Sequence, residues 1–189
     1  MAYKTYELEN INPIVYQETY DKLAKEFNVL YKYEHEVIKK PYGVIHLRGI
    51  EKIWYAEDYL ESTRNIVKFF ELHGYNNWIV ITDDINLFER FPSFLTYHVP
   101  PIENEAVATF RDFSLLLNAT LIVQHSPYGW SSFSNLPAFI RKIPIINTYP
   151  TLHNSLLKDF ETNGGLPTNF FNYQQTKEVL KFIKEKEIK

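Results

Sequence analysis

Apolar residues alternate along this chain between two patterns: spacing at threes and fours among charged residues, and short unbroken runs. The first buries one stripe of a helix, and the second suits a strand covered on both faces. Helical spacing runs through residues 13–33, with Ile14, Tyr16, Tyr20, Leu23, Phe27 and Leu30 on the apolar side. It returns over residues 55–73, where Tyr59, Ile66, Val67 and Phe70 share a stripe and Gly74 follows as a stop signal. Further helices are predicted at 85–90, at 106–117, from the Ser-rich loop 126–134 through Arg141, and at 173–186. Strands are predicted at 42–47, 78–82, 94–98, 120–124 and 144–147.

Strand and helix alternate without a hairpin signal, which implies parallel strands joined by right-handed crossovers. The expected fold is therefore α/β: a single Rossmann-like domain over residues 41–189. Its parallel sheet has about five strands, with helices on both faces. Residues 1–40 form an N-terminal helical segment ahead of it.

Composition narrows the function classes. With 45% hydrophobic and 16% aromatic residues the chain can fill a core, which argues against global disorder. A net charge of −3 argues against a general nucleic-acid binder, which needs a basic face. The absence of cysteine excludes disulfides, Cys-ligated zinc, iron–sulfur clusters and a thiol nucleophile. No apolar run is long enough to span a bilayer, and the first residues lack a signal-peptide core. A soluble, cytoplasmic protein is the expectation.

Parallel strands deliver their carboxyl ends to one edge of the sheet, where open α/β folds bind ligands. Four polar groups converge there: His46 with Arg48, Asp83 with Asp84, His98, and Gln124-His125-Ser126. Arginine offers a rigid, permanently charged fork of donors suited to phosphate. Gly129 to Ser134 leads into a helix, and serine hydroxyls with free N–H groups at a helix start form an anion site. Ser131 or Ser132 equally serves as a plain N-cap. Asp83-Asp84 lacks a third nearby carboxylate, so hydrogen bonding to a ribose or base, or capping of the next helix, is simpler than metal binding. The histidines have no metal-ligand spacing, and neither a Gly-x-Gly-x-x-Gly nor a Walker lysine loop is present.

Three motifs in order carry a resemblance. His46-Leu47-Arg48-Gly49-Ile50-Glu51 closes a strand, and Ile81-Thr82-Asp83-Asp84 closes another. The third combines Asp112-Phe113-Ser114-Leu115-Leu116, the strand Leu121-Ile122-Val123, and Ser131-Ser132-Phe133-Ser134-Asn135-Leu136-Pro137-Ala138. Together they resemble the GDP-sugar-binding half of the α-1,2/α-1,6- and protein O-fucosyltransferase superfamily, GT-B glycosyltransferases with two Rossmann domains. The resemblance spans about residues 42–147. It implies a metal-independent glycosyltransferase with no cofactor, which takes a GDP-sugar donor, GDP-fucose favoured, and transfers to a glycan hydroxyl. By position, Arg48 contacts the β-phosphate and stabilises the leaving GDP, while His46 and Asp112 hold guanine. Asp84 lies near the nucleoside, and Ser131, Ser132 and Phe133 receive the phosphates. The spacing from Asp112 to Ser131 is longer than the family pattern, so Ser126 is an alternative phosphate contact.

Asp83 and His98 are candidates to orient or deprotonate the acceptor, Asp83 being the catalytic choice. The chain departs from the pattern at Gly49, where the family has a second arginine, and at Ile50-Glu51, where it has aspartate. At 189 residues there is room for only one of the two halves. The acceptor half is then supplied by a partner chain or a homo-oligomer, or the chain is a nucleotide-sugar-binding module without transferase activity of its own.

Overall fold

A computed structural model describes residues 41–47, 56–82, 97–98, 105–125, 131–148 and 169–187, and Glu18, Asp21, Lys22 and Lys25, which are helical and exposed. The rest of the expected helix over residues 13–33 and the expected helix at 85–90 lie outside the described residues, as does most of the 1–40 segment.

Among the described residues six strands form one sheet: β1 (Gly43–Leu47), β2 (Trp78–Thr82), β3 (Tyr97–His98), β4 (Leu121–His125), β5 (Ile145–Asn147) and β6 (Phe170–Asn172). Every pairing is parallel, and the order is β3-β2-β1-β4-β5-β6. The helices are α1 (Ala56–Glu71), α2 (Glu105–Asn118), α3 (Ser132–Arg141) and α4 (Thr176–Glu187), with a 3-10 turn at Tyr173–Gln175. The α/β, all-parallel architecture agrees with the sequence pattern. The sheet has one strand more than expected, because β6 is too short to show periodicity of its own.

Alternation along the strands sorts the core into two layers. Ile45, Leu47, Trp78, Val80, Val123 and Ile146 pack against Leu60, Val67 and Phe70 of α1 and Val179, Leu180 and Ile183 of α4. Val44, Ile79, Ile81, Ile122, Ile145 and Phe170 pack against Leu115 and Leu116 of α2 and Ala138 of α3. Helices therefore cover both faces, which is why the strands read as unbroken apolar runs.

Two helices end in the same way. After α1, the Tyr75 N–H bonds the Phe70 carbonyl and the Gly74 N–H bonds that of Glu71, with Gly74 at φ 92°. After α3, the Ile143 N–H bonds the Ala138 carbonyl and the Lys142 N–H that of Phe139, with Lys142 at φ 53°. Both are Schellman terminations, the second with lysine where glycine is usual. Asn169, entering β6, donates its side-chain amide to the carbonyls of Ala138 (2.9 Å) and Ile143 (2.8 Å). That contact docks the end of α3 against the sixth strand.

Candidate functional site

The strand order reverses between β1 and β4. The chain leaves β1 through α1 on one face of the sheet and leaves β4 through α3 on the other. In doubly wound sheets, diverging connections at such a reversal open a crevice beyond the carboxyl ends of the two strands, and ligands are held there.

One residue row crosses the sheet just inside this edge. Register pairs His46 with Gln124, Gln124 with Asn147, and Asn147 with Asn172. Two rows back the partners are Val44, Ile122, Ile145 and Phe170, all apolar. Each of the four strands thus carries an apolar, apolar, polar triplet, which ends β5 and β6 and is followed by one more residue, Leu47 or His125, in β1 and β4. By alternation His46, Gln124 and Asn147 lie on the α2/α3 side, where α3 begins.

All three are buried: His46 at 6% exposure, Gln124 and Asn147 at 0%. Buried polar groups need partners, and these supply one another. Asn147 donates its amide nitrogen to Gln124 Oε1 at 2.9 Å. Gln124 Nε2 donates to the Ser131 carbonyl at 3.1 Å and to Ser134 Oγ at 2.5 Å, with Asn135 Oδ1 farther at 3.4 Å. Ser134 Oγ lies 2.9 Å from His46 Nδ1. The start of α3 is therefore bonded to the ends of β1 and β4 through side chains, and through Gln124 to β5.

Ser131 holds the N-cap position in extended conformation (φ −134°, ψ 112°), but its hydroxyl does not cap the helix. Its carbonyl accepts the N–H groups of Ser134 (3.2 Å) and Asn135 (3.0 Å). Phe133 packs between His46 (ring centroids 5.8 Å apart) and Phe113 of α2 (5.9 Å). The side-chain amide nitrogen of Asn135 is buried without a partner among the described residues.

A second histidine sits across the sheet. His125, the register partner of Leu47, is buried on the α1 side. Its Nδ1 lies 3.4 Å from Thr148 Oγ1 and 3.5 Å from Thr63 Oγ1 of α1. Thr148 also donates to the Gln124 carbonyl at 3.2 Å.

The structure thus brings His46, Ser131 and Phe133 to one place. Of Ser132, only its position as the first residue of α3 is described. Asp112 lies on α2 beside Phe113, half-buried, and accepts from Arg111 Nε at 2.8 Å. Arg48, Asp83, Asp84 and Ser126 lie outside the described residues. In sequence they directly follow Leu47, Thr82 and His125, the last residues of β1, β2 and β4. His98 ends β3, one strand beyond β2.

Gln124 was expected at this edge as part of Gln124-His125-Ser126, and Ser134 and Asn135 only within the motif that opens α3, whereas Asn147 and Thr148 were not expected there. A signal for Asn147 was available: a polar residue ending an aliphatic run in a fully buried strand needs a buried partner. Among the described residues, three groups carry clear pKa shifts, and all three lie at the opposite, amino edge of the sheet. Burial raises the Glu71 carboxyl, burial and the Glu187 carboxylate raise the Tyr75 phenol, and burial and Lys142 lower the Lys186 ammonium. No three His, Asp or Glu side chains gather as a metal set among the described residues, and none of the described helices is long and apolar enough to cross a membrane. Compared with known proteins, the chain matches no family model and no curated sequence.

Proposed function

We propose that this domain binds a GDP-sugar at the crevice between β1 and β4 and acts as the donor-binding half of a metal-independent glycosyltransferase. The observation that carries this reading is the meeting of the His46 strand end with the start of α3 where the strand order reverses. A doubly wound sheet binds nucleotides at that position, and a helix start offers N–H donors to phosphate. The motif resemblance supplies the choice of GDP and of a fucose-like sugar.

In the reaction, the acceptor hydroxyl oxygen forms a bond to the anomeric carbon as the bond from that carbon to the β-phosphate oxygen breaks. Negative charge gathers on the departing diphosphate, and Arg48 and the N–H groups at the start of α3 stabilise it. The acceptor proton passes to a base, for which Asp83 is the candidate. Calorimetric titration of GDP, GDP-fucose and UDP in EDTA, into wild type and Arg48→Ala, tests the reading. Selective GDP binding that is lost in the variant supports it, and failure of every nucleotide to bind overturns it. Fucose transfer to a defined acceptor then separates a transferase from a binding module.

A further inference from the structure

We infer that Gln124 is a positioning residue: it fixes the direction of the hydrogen-bond chain from Asn147 to His46, so that His46 carries its ring proton on Nε2. The argument follows which atoms can donate. The Ser131 carbonyl can only accept, so the Gln124 side-chain atom 3.1 Å from it is the amide nitrogen. The Asn147 amide nitrogen, 2.9 Å from the other Gln124 atom, then meets an oxygen, in keeping with that orientation.

With both Nε2 hydrogens directed to Ser131 and Ser134, Ser134 Oγ is an acceptor from Gln124. Its single proton is left to donate, either to His46 Nδ1 at 2.9 Å or to the Ser131 carbonyl at 3.5 Å. The second distance is beyond the usual O–H···O range, so the proton goes to Nδ1. His46 Nδ1 then accepts, and the ring proton sits on Nε2.

The consequence for binding rests on the nucleotide reading above. A His46 ring whose second nitrogen is a donor selects an acceptor atom as its partner and discriminates against a donor. Gln124 touches no ligand in this scheme and acts through Ser134 and His46.

The test reads the tautomer directly, without any nucleotide. Long-range 1H–15N correlation spectra of histidine-labelled protein at pH 8, with His46 assigned by its loss in His46→Gln, are expected to show the Nε2–H form. Gln124→Glu replaces the donor with an acceptor, which draws the Ser134 proton away from His46. The ring proton is expected to move to Nδ1. Ser134→Ala, a milder change, is expected to release the ring into a mixture of both forms, and Ser134→Thr to restore the wild-type signal. A wild-type ring protonated on Nδ1, or a Ser134→Ala spectrum identical to wild type, overturns the inference. An unchanged tautomer in folded Gln124→Glu does so too. GDP affinity in Ser134→Ala is expected to fall about tenfold, the scale of one hydrogen bond. If wild type fails to bind GDP while the tautomer behaves as described, the nucleotide reading fails and the role of Gln124 stands.

Discussion

Gly43 opens β1 directly against the six-membered ring of Trp78, so that a Cβ at this position would overlap ring carbons. Trp78 is buried, and its ring packs on Phe70 (centroids 6.4 Å), so it has nowhere to move. Gly43→Ala is therefore expected to destabilise by about 1–3 kcal/mol, the range for overpacking a filled core. Urea unfolding measures it, and an unchanged midpoint would show that β1 shifts freely. Lys142 presents the reverse case. At φ 53° it holds a left-handed conformation that costs a non-glycine residue about 1–2 kcal/mol, where the equivalent position after α1 carries Gly74. Glycine gives back part of that gain as chain entropy, so Lys142→Gly should stabilise by about 0.5–1 kcal/mol in the same assay. The Gly74 stop was legible in the sequence. The Lys142 turn was not, because nothing about a lysine marks positive φ.

At the scale of elements, long periodic segments were legible and their interlocking was not. Strand 78–82 coincides with the expected residues, and β1, β4, α1, α2 and α4 fall within three residues of theirs. Periodicity works here because each element buries one stripe or two faces of aliphatic residues. It is silent on β6, where three residues give no period and the determining contact is Asn169 on the end of α3. It is silent too on the polar row, since His46, Gln124, Asn147 and Asn172 become neighbours only when four parallel strands take their register. The triplet apolar, apolar, polar is visible in each strand, but its alignment is a property of the sheet. That alignment has an energetic consequence for α3. Gln124→Leu preserves side-chain volume but leaves Asn147 Nδ2, the Ser131 carbonyl and Ser134 Oγ without this partner in a buried site. The expected loss is about 2–4 kcal/mol, on the scale of buried polar groups deprived of partners. Amide exchange should locate that loss at the start of α3, and uniform loss across the sheet would instead indicate general core damage.

For the whole molecule, the two edges of the sheet carry different physics. The amino edge holds the shifted titratable groups, and Glu71 illustrates the sign. Burial raises its folded pKa above 4.5, so the folded state binds the proton more tightly than the unfolded chain. Its contribution is most favourable below pH 4.5 and declines as pH rises through the folded value. Glu71→Gln should accordingly gain on wild type at pH 7 and lose that gain at pH 4, as read by paired thermal melts. The carboxyl edge holds the proposed donor site, where stability would be linked to ligand instead. If GDP binds the folded domain alone, it stabilises by RT ln(1 + [L]/Kd), about 2.7 kcal/mol at one hundred times Kd. For a domain of this size that corresponds to a rise of roughly 5–10 °C in melting temperature. GDP and GDP-fucose should produce it in EDTA, UDP should produce little, and Arg48→Ala should abolish it without lowering the melting temperature of the free protein. Loss of the free-protein melting temperature in Arg48→Ala would mean that the arginine serves the fold. Equal shifts with UDP would mean that the crevice reads the diphosphate alone, and that the guanine assignments to His46 and Asp112 fail.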